Sequence, residues 1–160
     1  MVERCVRDAE VTGSNPAAPT SSSVEGSITL FARFNPAAKR VLRAAEQACR
    51  NHNHYYVGVG HVLLALLEER DAEIEARLAS SGNTAADVID DVRRAIGTGD
   101  ERLWDGILIT PRVSRIIEVA ETRVAMALPL EPVHLFDAIE SEGGLFAELL
   151  GRYVGNNRVS

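Results

Sequence analysis

The segment from Phe34 to Leu67, FNPAAKRVLRAAEQACRNHNHYYVGVGHVLLALL, returns in worn form from Ile109 onward. An internal repeat constrains a fold more than any single residue does, because each copy must hide its apolar face against a neighbour. Ile109-Thr110-Pro111 replays Phe34-Asn35-Pro36 at an offset of 75 (111 − 36), and Arg115, Ala120 and Glu121 then match Arg40, Ala45 and Glu46. After a link shorter by two residues, His134 matches His61 at an offset of 73 (134 − 61).

Within the first copy, Asn35 followed by Pro36 is a helix start, with the Asn side chain as cap and Pro in the first position. Phe34, Ala38, Val41, Leu42, Ala45, Ala48 and Cys49 recur at spacings of three and four, which predicts one apolar stripe on a helix ending near Asn51. Lys39, Arg43, Glu46 and Arg50 fall on or beside the opposite, solvated face, and Cys49 reads as a small buried hydrophobe. The turn NHNHYYVG precedes a second helix from Val59 or Gly60 to Glu69, whose near-continuous apolarity marks it as central. A shorter helix over Ala72–Ser80 uses Ile74 and Leu78 and is stopped by Ser81-Gly82-Asn83. Thr84 caps a fourth, with Asp87 completing an acidic capping box and Ala85, Val88, Ile89, Val92 and Ile96 as its buried face.

The second copy reads as three helices. Its stripe is Ile109, Val113, Ile116, Ile117, Ala120 and Val124, followed by Leu135, Phe136, Ala138 and Ile139, then Leu145, Phe146, Leu149, Leu150 and Tyr153. The fold expected is therefore all-α, two tandem pseudo-twofold-related repeats of about four plus about three helices. Repeat one occupies 34–98 and repeat two 109–155 of a domain over 28–155, with 156–160 as a tail. A fourth helix buries about four apolar side chains worth about 1.5–3 kcal/mol each. Its loss is comparable to the whole stability of a domain, so the second copy is expected to lean on the first or on a partner. Between the copies, Trp104 in its polar setting is expected to anchor their junction.

The chemistry-bearing residues have structural explanations. His52, His54 and His61 invite a metal reading, but no CxxC or HExxH spacing supports one, and turn and helix-start roles suffice. Glu46, Glu121, His61 and His134 fit helix surfaces and helix starts rather than acid–base pairs, so no catalytic residue, metal or cofactor is expected. A net charge of −6 argues against nonspecific nucleic-acid or anionic-membrane binding. Two cysteines make no disulfide framework, and no apolar run approaches the length of a membrane span. The expectation is a cytoplasmic, reduced protein.

Residues 1–27 carry no periodicity, and VTGSNPAAPTSSS is linker chemistry, so this segment is expected to be a disordered tail. Gly13-Ser14-Asn15-Pro16 is also what the conserved T-arm of a bacterial tRNA gene would encode. This motivates the hypothesis that the frame runs through an upstream tRNA gene and that translation begins near Val24 or Leu30. Peptides covering Cys5 to Thr20 in the native protein would refute it.

From Leu30 to about Gly155 the chain resembles the Clp N-terminal domain, the paired-repeat module at the front of the ClpC, ClpA and ClpB AAA+ unfoldases. The carriers are LFARFNPAAKRVL, HNHYYVGVGHVLLALLEE and the echo ITPRVSRIIEVAE…VHLFDAI. The resemblance implies a helical bundle that receives substrates or adaptors for an ATP-driven unfoldase. ClpC-type relatives place Thr-Glu before the second-helix histidine of each repeat, where the carboxylate helps hold the guanidinium of phosphoarginine. Here those positions are Val59-Gly60 and Pro132-Val133. Losing the carboxylate of a buried charge pair costs about 2–5 kcal/mol, so phosphoarginine recognition is not expected.

What the resemblance leaves open at Phe31, Lys39 and Ile109, between the starts of the two first helices, is either a simple closure of the interface between the repeats or a candidate peptide- or ligand-binding groove. No Walker A pattern occurs. The function expected is thus a stand-alone binding module, an adaptor, decoy or sequestering protein. Its partners would be a Clp AAA+ unfoldase, that enzyme's substrates or adaptors, or small molecules that target Clp N-domains, with the protein itself a monomer or weak homodimer. The alternative is a structural or regulatory remnant that dimerises to cover its incomplete second repeat.

Overall fold

A computed structural model describes residues 32–99 and 108–154. The tail over 1–27, Phe31, Trp104 and residues 155–160 lie outside the described residues. The described chain forms seven helices: α1 (Pro36–Asn51), α2 (Val59–Glu69), α3 (Ala72–Ser80), α4 (Ala85–Ile96), α5 (Pro111–Arg123), α6 (Pro132–Glu142) and α7 (Leu145–Tyr153).

Local chemistry sets the boundaries. Asn35 Oδ1 accepts the Ala38 N–H at 2.7 Å and Thr110 Oγ1 accepts that of Val113 at 3.4 Å, with Pro36 and Pro111 in the first turns. Each cap satisfies an N–H that has no partner inside its helix. Thr84 and Asp87 cap each other's backbone at the start of α4, as the sequence predicts. The starts of α2 and α6 use one further device twice. His61 Nδ1 accepts the Gly58 N–H and His134 Nδ1 accepts the Glu131 N–H, each at 3.0 Å.

The core lies between α2 and α6, which pack on each other, on their own first helices and on each other's. Leu63, Leu66, Leu67, Ile116, Ile117, Leu135, Phe136 and Ile139 are almost fully buried there, and Cys49 is buried as expected. Val57 of the short strand β1 (Tyr56–Val57) pairs in parallel with Ile109 of β2 (Leu108–Ile109), while Phe34 bridges to Leu130. Matching backbone bonds run from Thr110 N–H to Val57 O (3.1 Å) and from Asn35 N–H to Leu130 O (2.9 Å). The link before each second helix is thus tied to the entry into the other repeat's first helix. Periodicity cannot show this exchange, because it joins residues about fifty to a hundred positions apart.

Three expectations are corrected. Ile109 is 39% exposed rather than part of the buried stripe, standing on β2 ahead of the first turn of α5, whose own stripe begins at Val113. On α4 only Val88 and Val92 are fully buried; Ala85 and Ile89 are half-buried beside an open groove, and Ile96 is half-buried against Gly60. The second repeat is also not missing an apolar cover. On α2, the side facing α4 and α7 runs through Gly60, Leu64 and Leu67, all buried. The matching residues of α6 at the 73 offset are Val133, Asp137 and Glu140. Arg77 of α3 pairs with Asp137 and lies 3.7 Å from Glu140, and the Arg123 guanidinium donates to the Asp137 carbonyl at 3.2 Å. That side of α6 is a half-exposed ionic surface needing no fourth helix. The second repeat does lean on the first. Helix α7 packs on α4, Asn83 Nδ2 donates to Tyr153 O and Ser81 Oγ to Val154 O, both at 2.8 Å, and the Tyr153 hydroxyl donates to Asp91.

Candidate binding surface

Val59 and Gly60 form the first turn of α2, and Pro132 and Val133 that of α6; all four are buried. Gly60 is closed to any side chain. A Cβ there would lie 2.7 Å from Ile96 Cγ1 and closer still to the Phe146 ring. The turn that would present a carboxylate to a guanidinium is filled from two sides, by α4 and by α7. This filling involves Phe146, 86 residues away (146 − 60), so the sequence does not announce it.

Of the groove residues, Lys39 is exposed one turn into α1, and among the described residues it carries no ion pair. Ile109 stands before α5, on β2. The exchanged backbone pairs assign them to two equivalent stations. Ile109 sits with Val57 and the first link, whereas Phe34 and Asn35, at the foot of the helix carrying Lys39, sit with Leu130 and the second link.

Both links present apolar side chains to solvent. Tyr55 and Tyr56 are 53% and 54% exposed in the first, and Met126 and Leu128 are 88% and 58% exposed in the second. Burying these residues against a partner would release apolar area that folding leaves wet. They are absent from the sequence-based site because the links read there only as interruptions between helices. Their equivalence, Tyr55 to Leu128 at the 73 offset, is the signal that would have found them.

The groups weighed for catalysis are otherwise engaged. Glu46 pairs with Arg50 on the surface of α1 (2.7 Å), and His134 holds the start of α6. His54 Nδ1 lies 2.9 Å from His61 Nε2, and His52 Nδ1 lies 2.8 Å from the Gly97 carbonyl. Among the described residues no group of three or more His, Cys, Asp or Glu side chains is arranged to hold a metal ion. Nor is any described helix long and apolar enough to cross a membrane.

The described residues thus form a paired-repeat helical bundle with exchanged links and two exposed apolar stations. The sequence model of the family described as the Clp repeat (R) N-terminal domain matches residues 33–128, and the chain belongs to that family. It is 36% identical over 91 residues to the ClpC ATP-binding subunit of the ATP-dependent Clp protease of Staphylococcus epidermidis, covering 57% of this chain and 11% of that protein. It is 32% identical over 124 residues to the ClpA homologue of Cyanidium caldarium, covering 76% of this chain and 14% of that one. The chain thus spans only a small part of the length of these relatives.

Among solved structures, it is similar to the N-domain of ClpV from Vibrio cholerae, with a TM-score of 0.65 and 18% identity over 79% of this chain and 80% of that one. It is also similar to the N-terminal domain of ClpD from Arabidopsis thaliana, with a TM-score of 0.59 and 23% identity over 79% and 90%. At these identities the structures speak for the fold.

Proposed function

We infer that this chain is a protein-binding module of the Clp N-domain type, without catalysis of its own. In this reading it serves in the cytoplasm as an adaptor, decoy or sequestering protein. It engages a Clp AAA+ unfoldase, the clients and adaptors of that unfoldase, or small molecules that target Clp N-domains. The observation carrying this reading is the pair of exposed apolar links, Tyr55-Tyr56 and Met126 to Leu128, set at equivalent stations of the family's scaffold. The filled first turn at Gly60 supports a cargo other than phosphoarginine, since a carboxylate there has no space.

The test is direct binding of the purified protein to the Clp unfoldase subunits of its host and to their adaptors, at physiological salt. A complex that Tyr56→Ala or Leu128→Ala weakens at least tenfold supports the reading. Absence of binding to every Clp subunit and adaptor refutes it. The dimerising remnant loses its motive, because the side of α6 that a second copy would cover carries Asp137, Glu140 and the Arg77 guanidinium.

A further inference from the structure

Three of the four histidines of this chain meet at one place in the first repeat. Their ring centroids lie 5.0 Å (His54–His61), 6.2 Å (His52–His54) and 6.2 Å (His52–His61) apart. The hydrogen bonds assign the protons. His61 Nδ1 accepts the Gly58 N–H, so its own proton sits on Nε2 and is donated to His54 Nδ1 at 2.9 Å. Both rings must be neutral for this chain of bonds to exist, since a protonated imidazole accepts nothing.

The cluster joins three segments. His54 follows the end of α1, where its N–H donates to Cys49 O and the Cys49 thiol lies 3.1 Å from His54 O. His61 opens α2 and is 5% exposed. The segment after α4 is laid over His52 and His54. Gly99 N–H donates to His52 O at 2.7 Å, and a Cβ on Gly99 would stand 2.8 Å from the His54 ring.

We propose that this histidine triad is an acid-sensitive latch, which holds the first link closed at neutral pH and releases it when His61 or His54 takes a second proton. Protonating His61 removes the acceptor of the Gly58 N–H, and protonating His54 removes the acceptor of the His61 N–H. Either event sets a cation against neighbouring imidazoles, beside a His61 that is buried. The link between the two rings carries Tyr55 and Tyr56, so release alters how the first apolar station is presented.

The surrounding groups favour the neutral state. Burial, then His54, then His52 lower the His61 pKa from 6.5 to about 4, and burial followed by His52 lowers that of His54. The charged side chains on the adjoining helix ends are cations with their own partners: Arg50 with Glu46, Arg93 with Glu68, and Arg94 with Asp91. The thiol of Cys49 is the other titratable group on α1 at this point. The second repeat has no latch, because Ala127 stands where the first has His54.

The sign follows from linkage. The closed state holds His61 neutral down to about pH 4, whereas the open state binds a proton from about pH 6.5. Closure is therefore fully favoured above pH 6.5 and weakens as pH falls toward 4. From His61 alone, the opening constant at pH 5 is about 30 times its value at pH 8.

Amide hydrogen exchange on the full chain at pH 8 and pH 5, corrected for intrinsic exchange rates, reads this directly. The Gly58, His61 and Gly99 amides should open about 30-fold more at pH 5, with the Val113 amide of the second repeat, whose acceptor is the Thr110 hydroxyl, changed less than threefold. His61→Gln keeps an acceptor and a donor but cannot take a proton, and should lose most of the rise. NMR titration of the His61 ring in the unmodified protein is an independent check should that variant not fold. Unchanged opening at Gly58 and Gly99, an undiminished rise in folded His61→Gln, or His61 titrating at pH 6 or above each overturns the latch.

Discussion

Helices α2 and α6 begin with the same device, a histidine ring accepting the N–H three residues behind it, and they run for the same eleven residues. Their outer sides then part company. On α2, Gly60, Leu64 and Leu67 lie under α4 and α7, whereas on α6 Val133 is buried but Asp137 and Glu140 stand half-exposed against Arg77. A duplicated helix can lose its cover when apolar residues give way to charged ones that a neighbour can pair. What remains common to both repeats is the backbone scaffold; what differs is the side each second helix offers to solvent.

The largest effect is expected from restoring the missing carboxylate. Gly60→Glu forces a charged side chain into the apolar Phe146 and Ile96. It should cost about 3 kcal/mol or more in urea unfolding and create no phosphoarginine binding by calorimetry. A folded, unperturbed variant would show the turn to be open after all.

Exchanging the two outer sides comes next. Leu64→Asp on α2 should destabilise by about 3 kcal/mol, through lost burial and an unpaired carboxylate. The converse double change, Asp137→Leu with Glu140→Leu, should move stability by about 1 kcal/mol at most, while raising self-association in light scattering. Equal costs for the two changes would mean that the outer side of α6 is a core after all.

The helix caps should be indifferent to which repeat holds them. Asn35→Ala and Thr110→Ala should each cost about 1 kcal/mol by chemical denaturation. The smallest effect concerns the ends of the second helices. Arg70 adopts a left-handed conformation (φ 59°) where the equivalent Gly143 (φ 79°) does so without a Cβ penalty. Arg70→Gly should therefore gain about 0.5–1 kcal/mol and Gly143→Ala should lose a similar amount. A loss on Arg70→Gly would assign that end of α2 to its exposed ion pair with Glu75.

Much of this architecture is legible in the residues. Asn35-Pro36, Thr110-Pro111, Thr84 with Asp87 and the apolar spacings are local signals, and the seven helices begin where those signals lie. What resists reading is carried by distant partners. The seating of Ile109 beside Val57, the closure of Gly60 by Phe146 and the pairing of Asp137 with Arg77 each join residues far apart in the chain. The candidate binding surface is the least legible part. Lys39 and Ile109 were drawn from family positions at helix starts, whereas the exposed tyrosines sit in a link whose composition suggests only a turn. The meeting of His52 and His54 with His61 was hidden for the same reason, since a turn's geometry is not periodic.

The reciprocal ribbon, Val57 with Ile109 and Phe34 with Leu130, has an ancestral corollary. Two separate chains, each a single repeat, could make the same four-residue exchange about a true twofold axis, each chain lending its link to the other's first helix. The present molecule then holds such a dimer on one chain, with its symmetry retained in the backbone. Fusion frees the two halves from having to remain identical. One could close its outer side under an extra helix and acquire a histidine triad, while the other turned the same side into a salt-bridged exterior.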